Sequence, residues 1–356
     1  MCGNRWEWQR TAGAEEEIMR SARIKAEGAG YYHIISRVIE RKRVLARSEK
    51  EKFRKLMRLV AEFSEVQILT WSCLSNHWHI LAYVRERREI SDEELVEKLK
   101  LLYDEDLVND VAMRLKAYRE EGRHAWAEEL KAKYTYRMFD LSQFMKTFKQ
   151  RYTQWYNRRM KRRGTLWEER FKSVMIQGSQ HALSTIAAYI DLNAVRAGIV
   201  KDPKDYRYCG YAEAVAGVKE AREGVKAVML SLGQWSRWAR VSAGYRKYLY
   251  VHGEEKGLGE DGRAKKAGFS RRTVREVLAQ GGRLKPAEVL RCRVRYFSDG
   301  VVLGSREFVN EVFDKHRDEF GVKRKTGARE LKRGHWGGLC TMRDLRLEVV
   351  TVPQRV

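Results

Sequence analysis

Short apolar segments alternate with amphipathic ones along the first part of the chain. Residues 31–38 form an aromatic and β-branched run, which predicts a strand. In residues 44–62, apolar positions recur at helical spacing among Lys, Arg and Glu, which predicts an amphipathic helix. Two more strands are predicted at 66–73 and 77–84, with Ser75-Asn76 as the turn between them. The predicted order is therefore β-α-β-β, ending in a hairpin.

The next segment, residues 86–133, is charged and helical in pattern, and we interpret it as a helical insertion. A long helix is predicted to start after Asp140, which can act as its N-cap, and to end near residue 160. A fourth strand is predicted within 165–176 and a further helix over 183–195. Together these elements predict an α+β protein with a ferredoxin-like β-α-β-β-α-β core and an antiparallel sheet.

The pattern changes after Pro203, where helical segments replace the alternation of strands and helices. Residues 253–262 are rich in glycine and charge, which is typical of a linker. We therefore predict an N-terminal extension over 1–28, a first domain over 29–205 and a mainly helical, possibly DNA-binding C-terminal region over 206–356.

The charge balance indicates an anionic partner. The 356 residues include 72 Lys and Arg against 48 Asp and Glu, a net charge of +24. Such an excess raises self-repulsion in a protein that lacks an anionic partner, and nucleic acid is the commonest partner of this kind. The mean hydropathy is −0.61 and no long apolar window occurs, so we expect no membrane span and no membrane partner.

The cysteines argue against two other classes of protein. All five are scattered and none forms a C-x-x-C pair, so neither a zinc finger nor a disulfide framework is expected. The start of the chain lacks the apolar segment of a secretory signal. We therefore expect a cytoplasmic, nucleoid-associated protein.

The pattern His77-Trp78-His79 lies in the third predicted strand. Alternate side chains of a strand point to one face, so both imidazoles can reach a single metal ion. Two histidines that merely face solvent would show the same spacing. A histidine-triad nucleotide hydrolase would need a third histidine at position 81, where this chain has Leu81. A metal site is therefore one of two hypotheses for this strand.

Tyr189 and Asn193 are four residues apart in a predicted helix and so share one of its faces. A tyrosine can act as a covalent nucleophile, and an amide oxygen can join two imidazoles around Mg²⁺ or Mn²⁺. The alternative is a half-buried core tyrosine whose hydroxyl is hydrogen-bonded. The spacing alone leaves both hypotheses open.

Residues 146–172 carry ten basic side chains against two acidic ones. Cations follow phosphates and aromatic rings stack on unpaired bases, so the stretch predicts a binder of single-stranded or hairpin DNA. A merely solvated helix face would mix the two signs of charge. The predicted DNA-binding residues are Lys146, Lys149, Arg151, Tyr152, Trp155, Arg158, Arg159, Lys161, Arg162, Arg163, Trp167, Arg170 and Lys172.

Four short motifs follow one another along the chain. They are Tyr32-His33, Asn76-His77-Trp78-His79, Gly164 with Trp167 and Arg170-Phe171-Lys172-Ser173, and residues 189–198, Tyr-Ile-Asp-Leu-Asn-Ala-Val-Arg-Ala-Gly. Together they resemble the HUH single-tyrosine transposases, specifically the REP-associated tyrosine transposase branch, over about residues 20–210. The chain departs from that pattern at Ala194, where relatives commonly have proline, and at Asp191, where they often have histidine.

The resemblance implies an HUH nuclease core in which His77, His79 and Asn193 hold Mg²⁺ or Mn²⁺ and Tyr189 is the nucleophile. The implied activity is that of a transposase or endonuclease that cleaves and rejoins single-stranded DNA next to hairpin (REP-like) sequences through a 5′-phosphotyrosine intermediate. The region after residue 205 resembles that of the longer members. Within it, the segment around 268–281 is either a helix-turn-helix-like element or a plain packing helix.

Two other functions stay open on the sequence. One is a DNA- or RNA-binding protein that kept the fold and lost catalysis. The other is a metal-dependent phosphodiesterase that hydrolyses small nucleotides with water. A covalent tyrosine adduct on a single-stranded hairpin would separate the three. Both a monomer and a homodimer are compatible with the sequence.

Overall fold

The part of the chain described by the computed structural model comprises residues 23–229, 237–250, 297–298, 300–331 and 336–342. Most of the predicted N-terminal extension and the helix-turn-helix-like segment lie outside the described residues. Among the helices in these ranges, none is both long enough and apolar enough to span a membrane.

Four strands form the core sheet: β1 (Gly30–Arg37), β2 (Val66–Cys73), β3 (His77–Val84) and β4 (Lys172–Ile176). Their order across the sheet is β2-β3-β1-β4, and each neighbouring pair is antiparallel. The central strand β1 is buried along most of its length because it has a neighbour on each edge and helices on both faces.

Two helices cover one face of this sheet. α1 (Arg47–Phe63) connects β1 to β2, and α5 (Leu141–Arg159) precedes β4. Phe53 of α1 and Phe148 of α5 pack on Trp78 of β3, with ring centroids 5.4 and 5.9 Å away. The β-α-β-β-α-β connectivity and the antiparallel sheet confirm the predicted α+β class and ferredoxin-like arrangement.

Three helices occupy the segment between β3 and α5: α2 (Asp92–Lys100), α3 (Glu105–Glu120) and α4 (His124–Thr135). They enclose an apolar cluster of their own, which Phe63 at the end of α1 joins. The helices of the insertion are therefore present as predicted, and this aromatic contact attaches them to the core.

The opposite face of the sheet carries helices from the second half of the chain. They are α6 (Gln180–Asp191), the short α7 (Asn193–Arg196), α8 (Gly210–Val215), α9 (Lys219–Met229) and α10 (Trp238–Tyr250). α9 lies so close to β2 that a Cβ atom on Gly224 would be 2.2 Å from the carbonyl oxygen of Leu69. This close approach explains a glycine inside a helix.

The sheet continues beyond β4 with strands from the C-terminal region. β5 (Val302–Gly304) runs parallel to β4, and β7 (Cys340–Met342) and β6 (Arg329–Glu330) follow across the sheet. α11 (Arg306–Lys315) packs on β5 and β7. The described part of the C-terminal region therefore combines helices with three short strands that its sequence pattern did not predict. A domain boundary near residue 205 stays a prediction.

Candidate active site

The register of β1 and β3 brings three histidines to one face of the sheet. Ile35 is opposite His79, and Arg37 is opposite His77. Because side chains alternate along a strand, His33 points to the same face as Ile35 and the two histidines of β3. This histidine face is the one that α6 covers, away from α1 and α5.

His79 is held in the interior by a second imidazole. Its Nδ1 lies 2.9 Å from Nε2 of His33, and Nδ1 of His33 lies 2.8 Å from the carbonyl oxygen of Phe297. Burial lowers the pKa of His33 to about 3. Burial holds the pKa of His79 well below its ordinary value, and a proton on His33 or His77 would lower it further. Both rings are therefore neutral at physiological pH, which is the form that binds a metal ion.

His77 is half-buried and faces Asn193 of α7. Its Nδ1 lies 2.7 Å from Oδ1 of Asn76, and its Nε2 lies 3.5 Å from the amide nitrogen of Asn193. The rings of His77 and His79 have centroids 5.3 Å apart. The structure thus brings together the three residues that were predicted as metal ligands.

Tyr189 of α6 lies over these histidines. Its ring centroid is 5.9 Å from that of His79 and 6.0 Å from that of His33. The residue is only 3% exposed, yet within the described part of the chain its hydroxyl has no hydrogen-bond partner. The buried Tyr152 differs, because its hydroxyl donates to the carbonyl of Glu49. Tyr189 thus agrees with the alternative hypothesis in being a buried core residue and departs from it in lacking a hydrogen bond to the described residues.

Two further side chains cover Tyr189. The guanidinium carbon of Arg196 lies 4.0 Å from its ring centroid, and one guanidinium nitrogen donates to Oδ1 of Asn193 at 3.3 Å. Phe297 packs edge-on, with centroids 5.2 Å apart. A positive charge therefore stands beside both the candidate nucleophile and a candidate ligand.

Sequence reasoning assigned no role to His33, Arg196 or Phe297. The strand alternation could have placed His33 beside His79 once β1 and β3 were paired. Arg196 follows Asn193 by three residues, which is one helical turn. Phe297 carries no comparable signal, because it lies 264 residues from the histidine that its carbonyl contacts.

The potential metal ligands are two imidazole nitrogens and one side-chain amide. His77 and His79 can each present Nε2, since their Nδ1 atoms are engaged, and Asn193 adds an amide. No group of three His, Cys, Asp or Glu side chains converges as a metal site in the described ranges. An ion would thus depend on Asn193, and on water or substrate for its other ligands. A divalent ion held by these residues would therefore keep open coordination positions, as a catalytic metal site does.

Asp191 is where the chain departs from the motif of the resembled family, and its hydrogen bonds go to buried residues of β2 and α10. Its carboxylate accepts hydrogen bonds from Thr70 at 2.7 Å and from Tyr245 at 2.6 Å. Burial raises its pKa to about 6. The residue therefore links α6 to β2 and α10.

The predicted DNA-binding residues other than Lys172 lie on the other side of the sheet, on α5 and the loop after it. Lys172 is the first residue of β4 and is opposite Ile35, so it points to the histidine face. Those exposed or partly exposed are Lys146, Lys149, Arg151, Trp155, Arg158, Arg159, Lys161, Arg162, Arg163, Arg170 and Lys172, whereas Tyr152 and Trp167 are buried. Tyr152 packs on Phe148 in the core, and its hydroxyl is satisfied there. The prediction that Tyr152 contacts DNA is therefore wrong, because a fully buried ring cannot stack on a base.

A cationic groove lies along this surface, formed by Arg23, Lys149 and Arg170 beside the rings of Trp167 and Phe171. Burial, with the charge of Arg23 adding, lowers the pKa of Lys149 to about 8. Burial, with the charge of Arg170 adding, lowers the pKa of Arg23 to about 10. Like charges crowded into a partly dry groove are stabilised by an anion. The groove is therefore suited to a phosphate backbone.

Comparison with known proteins supports the resemblance over part of the chain. Residues 28–137 match the family described as "Transposase IS200 like". No curated protein matches the sequence. One solved structure, of a REP-associated tyrosine transposase bound to a REP hairpin, is 16% identical. The match covers 56% of this chain and 87% of that chain, with a TM-score of 0.36.

The family match contains β1 to β3, and with them His33, His77 and His79. It ends before α6, so the roles of Tyr189 and Asn193 rest on geometry and are proposals. Over residues 28–137 the chain carries the sequence pattern of the IS200-like transposases, which supports the resemblance for Tyr32-His33 and Asn76-His77-Trp78-His79, the two motifs in that range.

Proposed function

We propose that this protein is a DNA endonuclease and transposase that cleaves and rejoins single-stranded DNA next to a hairpin. Tyr189 is the proposed nucleophile, and His77, His79 and Asn193 are the proposed ligands of Mg²⁺ or Mn²⁺. The proposal rests above all on the position of Tyr189, whose ring lies 5.9 Å from the neutral imidazole of His79. A phenol without a hydrogen-bond partner among the described residues is suited to attack a phosphate held there.

The groups of this chain account for one cleavage step. A divalent ion bound at the histidines would polarise the scissile phosphate. The Tyr189 oxygen would form a bond to phosphorus while the bond to the 3′ oxygen breaks. The phenolic proton would pass to solvent, and the departing 3′ oxygen would take up a proton. Attack by a 3′-hydroxyl on the phosphotyrosine reverses the step, so rejoining needs no ATP.

Arg196 can take part in the cleavage step because it contacts both Tyr189 and Asn193. Its guanidinium group lies over the Tyr189 ring and donates to Asn193. A guanidinium fork matches two phosphate oxygens, and its charge would offset the negative charge that develops during attack. The cationic groove and the exposed end of α5 would hold the DNA backbone, and Trp155 would contact an unpaired base.

The test is Tyr189→Phe, assayed with a pool of end-labelled hairpins whose single-stranded flanks are randomised. We expect the covalent protein–DNA adduct to disappear and the affinity for the pool to change less than about threefold, because only one hydroxyl is removed. Tyr136→Phe, at an exposed position, is the control for loss of a tyrosine hydroxyl. An adduct that survives Tyr189→Phe and vanishes in Tyr156→Phe would move the nucleophile to α5.

The burial of Tyr189 favours a second candidate, a DNA-binding protein without turnover. The ring lies beneath Arg196 and Phe297, so these side chains have to move before a phosphate can reach it. Wild-type protein that binds the hairpin pool but forms no adduct with either metal ion would support this candidate. Hydrolysis of small nucleotides that is insensitive to Tyr189→Phe would instead indicate a phosphodiesterase.

A further inference from the structure

We propose that His33 is a positioning residue that, anchored by the carbonyl of Phe297, fixes the tautomer of His79 so that its Nε2 lone pair faces the metal position. The inference deepens the proposed function, since it concerns the preparation of the same site. It places a residue from β1 and a backbone carbonyl from the C-terminal region behind the predicted ligand His79, without making either a metal ligand.

The relay consists of the Phe297 carbonyl, His33 and His79, and its outer end is the contact between Phe297 and His33. Nδ1 of His33 lies 2.8 Å from the carbonyl oxygen of Phe297. A peptide carbonyl has no hydrogen to donate, so His33 must carry its proton on Nδ1. His33 is fully buried, and in the described part of the chain no carboxylate contacts it. A neutral ring is therefore the form that fits this position.

The inner end of the relay is the contact between His33 and His79, and a neutral imidazole has one N–H group. With that group on Nδ1, Nε2 of His33 can only accept a hydrogen bond. Nδ1 of His79 lies 2.9 Å from this atom and must therefore be the donor. The neutral ring of His79 then has no hydrogen on Nε2, which leaves that nitrogen available as a ligand.

His77 is also protonated on Nδ1, and here a single side chain, that of Asn76, fixes the tautomer. The amide nitrogen of Asn76 donates to the carbonyl of Arg41 at 3.2 Å, which sets the orientation of the amide. Its Oδ1 then accepts from Nδ1 of His77 at 2.7 Å. The tautomers of the two candidate ligands are thus fixed independently. That of His77 is fixed by Asn76, its neighbour in sequence, and that of His79 by the buried relay that ends in the C-terminal region.

The first experiment uses the metal-free full-length protein with ¹⁵N-labelled histidine, whose ring nitrogen shifts distinguish the two neutral tautomers. In the wild type we expect His79 and His33 to be protonated on Nδ1. A wild-type spectrum with His79 protonated on Nε2 would overturn the proposal. This measurement involves neither metal nor DNA, so a correct tautomer without adduct formation would refute the proposed function and leave the relay standing.

The second experiment compares two substitutions of His33 by their Mn²⁺ affinity. The amide of His33→Gln can donate to the Phe297 carbonyl and accept from His79, so we expect affinity close to the wild type. His33→Met fills similar space without an acceptor, and we expect affinity about 10–100-fold lower, as for other residues that orient ligands. Equal affinities in two folded variants would contradict the relay.

Asn76→Ala serves as the matched control, because it removes the support of His77 only. We expect the His77 resonances to change while those of His79 stay in place. A change in His79 as large as that of His77 would mean that the two tautomers are not fixed independently. If His33→Met does not fold, the wild-type spectrum and His33→Gln still decide the question.

Discussion

On one face of the sheet, His33, His79 and Tyr189 are buried and come from three elements that are far apart in sequence. On the other face, the cations of α5 and its loop are exposed and follow one another along the chain. Catalysis needs side chains that are fixed in place and shielded from water. Electrostatic binding of a phosphate backbone needs only a high density of positive charge near the surface. The comparison predicts that the two faces can be disabled separately.

The largest expected effect is loss of cleavage when both ligand histidines are removed. In His77→Ala with His79→Ala, we expect metal-dependent adduct yield to fall by about a thousandfold or more, since a bound ion contributes several kcal/mol to such a reaction. Hairpin affinity should change less than about threefold, because the cationic groove lies on the other face. Gel analysis of the adduct and fluorescence anisotropy measure the two effects.

His124→Ala, at an exposed position where α4 begins, is the control for loss of an imidazole. Adduct formation that continues at the same dependence on Mn²⁺ in the double variant would show that the histidine face is not the metal site. An equal loss of DNA binding would show that the two faces do not act separately.

A smaller effect concerns Asp191, a buried charge on the histidine face. Burial raises its pKa from the ordinary value of 3.8 to about 6. The folded protein therefore binds this proton more tightly than the unfolded chain does. The stability it contributes is complete below pH 3.8 and is lost as pH rises through 6, which amounts to about 3 kcal/mol at pH 7.

Asp191→Asn should abolish this slope. We expect the free energy of unfolding of the wild type, measured in urea, to fall between pH 4.5 and 7 relative to that of the variant. Asp110→Asn is the control, because Asp110 lies on an exposed side of α3. Parallel pH profiles for the wild type and Asp191→Asn would mean that the carboxylate is not destabilised by its burial.

The local pattern of the chain was sufficient for the elements that depend on it. Residues 44–62 and Asp140 predicted α1 and the start of α5, and the Asp140 side chain accepts from the backbone N–H of Gln143 as an N-cap should. The fourth strand begins only at Lys172. The prediction started this strand too early because Leu166 and Trp167 are apolar, as strand residues often are. In the structure both are buried in the loop before β4.

Features that depend on distant residues escaped the sequence pattern. β5, β6 and β7 have two or three residues each, which is too short for alternation to be visible. The candidate site followed from the family motifs, but the contact between Phe297 and His33 had no sequence signal. Tyr152 could have been assigned correctly, since it follows Phe148 by four residues and continues the apolar face of α5.

The smallest expected effect separates the cations of the exposed face from one another. Within the described residues, the side chains of Arg158 and Arg163 have no partner, whereas Arg159 pairs with Glu49 and Arg162 donates to the Thr165 carbonyl. Replacing Arg158 and Arg163 by Gln should lower the salt slope of hairpin binding by about 1.4, from two contacts to a single strand at about 0.7 each. The matched pair Arg159→Gln with Arg162→Gln should lower it less, because those groups are already engaged. Equal slopes in the wild type and the first pair would exclude this end of α5 from the interface and leave the cationic groove as its centre.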